Sequence, residues 1–201
     1  MRLKYRFHPS GEGNHPEEQV LSVYRDYGVI PKNSRDDNFN RTPENVERYL
    51  LVRSGDLVVN RMKAWQGSLG VSAHRGVVSG DYEVLRPRGG GLLPEFTHVY
   101  LRSTHMIAAY RLHSTGVRPS QWRLYWDQLR DLRMPAPHLD EQRRIAAHLD
   151  EQTTKIDALI GKAERFIELA KERRAALITA AVTGQIDIRT AGVATNAGEG
   201  A

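Results

Sequence analysis

Asn60, Arg61, Lys63, Trp65, Gln66 and Ser68 stand in one short stretch, GDLVVNRMKAWQGSLG, running from Gly55 to Gly70. Their chemistry is that of a nucleic-acid reader. Asn and Gln side chains can pair bidentately with adenine, Arg and Lys can meet guanine or phosphate, and Trp can pack on a sugar or base. The apolar run Leu57 to Val59 predicts a strand that delivers the loop, and a second strand returns from Leu69. So many polar and cationic groups would be costly to bury, which places most of them at the surface. The alternative is that Met62 and Trp65 belong to the core and the polar residues are merely solvated. A second basic, amide-rich patch runs from Lys32 to Arg41, with Asn33, Arg35, Asn38 and Asn40 inside it. A third is Arg118-Pro119-Ser120-Gln121-Trp122-Arg123, of which Arg118 and Ser120 are the candidate contacts.

Signatures of catalysis are missing. The sequence holds no G-x-x-x-x-G-K-[ST] loop, no H-E-x-x-H and no G-x-S-x-G elbow. Its eight His are scattered singly, so no metal site is expected. Cysteine is absent, which removes disulfides, thiolate ligands and a thiol nucleophile. Asp81-Tyr82-Glu83 resembles a scrap of a metal-dependent nuclease. The position where such an enzyme wants Lys is Leu85, which can neither bind phosphate nor activate water. No catalytic residue is therefore assigned.

Charge supports the reader. Met1 to Ala136 carries 20 Lys and Arg against 14 Asp and Glu, a balance of +6, while Pro137 to Ala201 carries 9 against 10, a balance of −1. A basic first part and a neutral last part fit a globular module that meets a polyanion and a helical part with another task. No run of 18 apolar residues exists and Met1 to Ser10 is polar and basic, so neither a membrane span nor a signal peptide is expected. The expected location is the cytoplasm.

The elements that must hold these residues divide in two. Short apolar runs between turn signals predict strands at Val20–Tyr24, Tyr49–Val52, Asp56–Asn60, Ser68–Ser72, Val77–Val78, Tyr82–Leu85 and Leu132–Met134. Glu95 to Leu112 roughly holds a helical spacing, and Thr42-Pro43-Glu44 starts a short helix. Pro135-Ala136-Pro137 then breaks the pattern. A long helix follows from about Asp140 to Val182, with Leu149, Ile156, Ala163, Ala170 and Leu177 recurring every seven residues. Leu159 with Ile160, and Phe166 with Ile167, fill the intervening positions of a heptad stripe. A helix of roughly 60 Å cannot cover that stripe with a domain of this size alone and wants a partner helix. Thr183-Gly184 ends it, and the segment 188–201 reads as a disordered tail.

The stretch PAPHLDEQRRIAAHLDEQTTKIDALIGKAERFIELAKERRAALITAAVTGQID, from Pro135 to Asp187, resembles the conserved region of the specificity subunit of type I restriction-modification enzymes. The matching pieces are Pro135 and Pro137 before Glu141-Gln142, then Ile145, Leu149, Ile156-Asp157, Leu159-Ile160, Leu177-Ile178 and Val182-Thr183-Gly184. Upstream, GDLVVNRMKAWQGSLG and the Val78 to Tyr82 strand look like a target recognition domain of the same family. The resemblance implies an α+β fold: a mixed, strand-rich target recognition domain over 1–136, then a long spacer or dimerisation helix over 137–187. It implies a non-catalytic subunit that reads one half of a split double-stranded DNA target. It also implies partners: adenine-N6 methyltransferase subunits, which carry S-adenosylmethionine, and a motor-endonuclease subunit. The chain itself is expected to bind no cofactor.

Family members usually carry two recognition domains and two such helices, whereas this chain has one of each. An opening segment normal for the family is expected to be missing. A homodimer through the long helix would restore two readers and a palindromic target. The rival readings are a remnant that docks the methyltransferase without reading DNA, a helical scaffold, and a metal-dependent nuclease.

Overall fold

The β-branched run Leu57-Val58-Val59 builds the middle of the first module. The computed structural model describes residues 1–34 and 46–186. The Thr42-Pro43-Glu44 helix and the 188–201 tail lie outside them. Strand β5 (Leu57–Asn60) pairs antiparallel with β6 (Leu69–Val71) on one side and with β8 (Tyr82–Pro87) on the other. Strand β1 (Phe7–Pro9) closes the far edge, giving the order β1-β8-β5-β6. All four residues of β5 are buried, because both faces of the sheet are covered. Leu57, Val59 and Leu85 face a core with Leu3, Phe7, Leu69, Phe96, Met106 and Tyr110. Val58 and Val84 face a second core with Leu21, Val23, Val29, Val52 and Val78. That second core lies beneath a hairpin, β2 (Leu21–Tyr24) with β3 (Gly28–Pro31), and a pair, β4 (Leu50–Val52) with β7 (Gly76–Val78).

Two strands were not legible beforehand. Strand β1 is three residues ending in Pro, and β3 is bracketed by Gly28 and Pro31, so each carries its own breakers. Leu132–Met134 forms no strand. It pairs with the start of the chain instead, through an Arg2–Arg133 bridge and a Leu3 N–H donated to Leu132 O at 3.0 Å.

The expected helix over Glu95–Leu112 is two helices, α1 (Pro94–Leu101) and α2 (Thr104–His113). Ser103 interrupts it: its hydroxyl oxygen accepts the Met106 N–H at 3.4 Å and caps α2. The buried Tyr110 hydroxyl donates to Leu101 O at 2.9 Å and ties the two together.

On α1, His98 sits between β6 and Arg102. Its Nδ1 lies 3.2 Å from Val71 O, and a carbonyl can only accept, so Nδ1 carries the hydrogen. Nε2 is then free to accept from Arg102 Nη1 at 2.7 Å. Burial, and next the Arg102 charge, hold the His98 pKa below the ordinary histidine value. The unfolded chain therefore binds this proton more readily than the folded one. Stability is expected to fall as pH drops from the unfolded histidine value of about 6.5 through the lower folded value. Chemical denaturation at a series of pH values checks this: the acid-side slope should shrink in His98→Gln, and an identical slope would refute it.

After a short helix, α3 (Trp126–Leu129), comes α4 (Leu139–Val182), 44 residues long or about 65 Å. Asp140 and Glu141 stand in its first turn, where the helix dipole favours acids. It stops at Gly184, whose φ of 74° suits glycine. There Gln185 N–H donates to Ala180 O and Gly184 N–H to Ala181 O, a Schellman closure.

The chain divides into two compact units, Met1–Ala147 and a second beginning at His148. The opening turns of α4 thus belong to the first unit. Gln142 there is 0% exposed. Its amide donates to Gly91 O at 2.9 Å and Pro137 O at 2.8 Å, and its carbonyl accepts the Leu93 N–H at 2.8 Å. Ile145 and Ala146 pack on the first core beside it. In the second unit Ile156, Leu159, Ile160, Phe166, Ile167 and Leu177 are each at least half exposed, and Ala163 and Ala170 are exposed as well. Leu149, half-buried, heads the same heptad series.

Candidate nucleic-acid interface

The loop between β5 and β6 is organised by its first residue. Asn60 Oδ1 accepts the N–H groups of Met62 at 3.1 Å and Lys63 at 3.2 Å, which turns the chain sharply out of the strand. A single 3-10 turn at Ala64–Gln66 follows, with Ala64 buried under it. Gly67 in the left-handed region sends the chain back. Asn60 is 8% exposed and Ser68 is 4% exposed. Both differ from the expectation of surface readers. The Asn60 side-chain oxygen is spent on the turn, and its backbone N–H donates to Ser68 O at 3.0 Å, so these residues shape the loop from inside.

The other loop residues reach the surface. Lys63 is exposed, and Gln66 and Trp65 are half-buried. Trp65 is no core residue: its Nε1–H donates to Met62 O at 3.0 Å, and its ring meets Trp122 edge-to-face at 5.5 Å and 72°. Arg61 is half-buried with its guanidinium carbon 5.7 Å from the Tyr125 ring centre and its Nε 3.4 Å from Asp81 O. The Asp81-Tyr82-Glu83 stretch thus serves this loop. Glu83, on β8, has its pKa raised by burial, with Arg61 pulling it back down. Among the described residues, no group of three or more His, Asp or Glu is placed to hold a metal ion.

Trp122 brings the third basic patch to the first. Thr115 and Arg123 exchange two backbone hydrogen bonds, at 3.0 and 2.9 Å, which pinches residues 115–123 into a closed loop. Leu124 N–H donates to Arg61 O at 2.9 Å and locks that loop beside the β5–β6 turn. Arg111, at the end of α2, reaches Trp65 O through Nε at 3.1 Å. One surface therefore gathers Arg61, Lys63, Arg111, Arg118 and Arg123 around a tryptophan pair, with exposed Ser120 on the closed loop. Two cations spaced along a duplex each displace condensed counterions, so such a surface favours phosphate-rich partners.

Arg111 and Tyr125 were missed by sequence reasoning. No local spacing joins them to Trp65, so only the tertiary pairing could have found them. Lys32 stands apart, in the 3-10 turn after β3, where its N–H donates to Val20 O at 2.8 Å. Asn38, Asn40 and Arg41 lie outside the described residues.

The described residues thus form a strand-rich module with a loop-built basic face that runs into a long helix. Comparison with solved structures finds chains of similar fold. The chain is similar to the HsdS subunit from Thermoanaerobacter tengcongensis, with a TM-score of 0.55 and 18% identity over 84% of this chain and 46% of that one. It is also similar to a chain of a type I R-M system described in terms of complex assembly and conformational transition, with a TM-score of 0.54 and 24% identity over 86% of this chain and 40% of that one. The chain has the α+β fold of these neighbours. It spans less than half the length of the solved chains it matches. No family model and no curated protein sequence matches it. Among the described residues no helix is long and apolar enough to cross a membrane.

Proposed function

We propose that this chain is a DNA-recognition subunit of a type I restriction-modification system. It reads one half of a split double-stranded target, carries out no chemistry itself, and acts in the cytoplasm. The observation that carries the reading is the junction of two basic loops through Trp65 and Trp122 into one surface. The HsdS fold of the chain supports it. Adenine-N6 methyltransferase subunits, holding S-adenosylmethionine, would dock on the chain, and a motor-endonuclease subunit would join them. The exposed apolar stripe of α4 supports pairing with a second long helix. Two copies of this chain so paired form a dimer that reads a palindromic split target.

A methylation map tests this. The chain is co-expressed with its methyltransferase subunit in an unmethylated host, and genomic N6-methyladenine is sequenced. A palindromic split motif is the expected result. A soluble chain that co-purifies with the methyltransferase yet adds no methylation would overturn DNA reading and leave a docking remnant. Metal-dependent cleavage of plasmid by the purified chain would overturn the non-catalytic role.

Within that assay Arg61→Ala is expected to weaken or relax recognition by about 1–3 kcal/mol if the guanidinium reads a base. An unchanged methylation pattern would remove Arg61 from the interface.

A further inference from the structure

The closed loop 115–123 displays a side chain that folding does not need. Val117 is 94% exposed and Leu112, at the end of α2, is 85% exposed. They are the two most exposed large apolar side chains described in the Met1–Ala147 unit. A mobile loop could hide Val117 by collapsing, but this loop is fixed at several points. Thr115 and Arg123 pair across its neck. Pro119–Gln121 forms a 3-10 turn within it. Gly116 lies so close to Gln121 that an added Cβ would stand 2.7 Å from the Gln121 carbonyl oxygen. Trp122 is seated on Trp65. The protein thus spends conformational entropy to hold an apolar side chain out in water.

Charge says what covers it. Arg118 is its neighbour in sequence, and Lys63, Arg111 and Arg123 belong to the same surface, so the occupant is a polyanion with an apolar interior. Duplex DNA is one: its grooves expose thymine methyl groups and stacked base faces between rows of phosphates. We propose that Val117 enters a groove of the bound duplex and touches bases, making residues 115–123 a specificity-determining loop. This rests on the DNA-recognition reading above.

The test is selection of bound duplexes from a randomised pool by the chain assembled with its methyltransferase subunits, comparing wild type, Val117→Ala and Gly116→Ala. Val117→Ala removes only exposed methyl groups and should leave thermal stability unchanged. It is expected to enrich the same split motif with base preference at one or two adjacent positions reduced at least about fivefold. Gly116→Ala leaves Val117 in place but shifts the loop, and should disturb the same positions. Identical preference at every position in Val117→Ala, or a uniform loss of affinity with preferences intact, would overturn the proposal. A wild-type assembly that enriches no motif would instead remove the recognition reading on which it stands.

Discussion

Replacing Gln142 with Ala is expected to destabilise the Met1–Ala147 unit by about 3 kcal/mol, a fall of roughly 10 °C in its melting midpoint. The side chain is fully buried and makes three hydrogen bonds to backbone groups of two segments, Gly91 and Leu93 on one and Pro137 on the other. Alanine leaves two carbonyls and one N–H without partners, plus a void where the amide was. Gln142→Glu separates the hydrogen bonds from the packing. A carboxylate of the same size still accepts from Leu93 N–H but cannot donate to the two carbonyls, so at neutral pH it should be at least as damaging. Protonation restores one donor, and part of the loss should return in mild acid. Urea unfolding followed by tryptophan fluorescence reads all three proteins. An unchanged midpoint for the alanine variant would show that α4 is anchored by Ile145 and Ala146 alone.

Ala163→Pro is the second large effect. Proline at that point removes a hydrogen bond from the middle of α4 and drives its ring against the preceding turn, at about 3 kcal/mol or more. Elsewhere in a protein tertiary packing can absorb such a cost. Here Ile156, Leu159, Phe166 and Leu177 are exposed on both sides of the break, and an unpartnered helix in water is marginal even without proline. Circular dichroism should show loss of helix beyond the substituted turn, and assembly through the long helix should vanish in a sedimentation experiment with the methyltransferase present. Normal co-purification and an unchanged mass would refute the assignment of Leu149, Ile156, Leu159, Ile160, Ala163, Phe166, Ile167, Ala170 and Leu177 to a pairing face.

Much of the fold was legible, and the reason is the same in each case. Runs such as Leu57-Val58-Val59 and the seven-residue recurrence from Leu149 to Leu177 are local patterns, and local patterns predict strands and helices well. What escaped depended on partners distant in the chain. Phe7-His8-Pro9 becomes a strand only because β8 offers an edge. Gln142 reads as one more polar residue on a helix, since its partners are backbone groups of two other segments. The candidate site shows the same limit in sharper form. An amide after a strand can read adenine or close an Asx turn with equal chemistry, and Asn60 does the second. The two tryptophans stood in separate patches, and nothing short of tertiary structure joins them.

The start of the chain and the segment before α4 run side by side, Arg2 bridged to Arg133 and Leu3 hydrogen-bonded to Leu132. A module whose entry and exit meet behaves as a cassette. Its loops can be traded for others while Leu3 and Leu132 keep their places, because the stem closes the same way whatever it encloses. An engineer can therefore cut at this stem and exchange the loops it encloses.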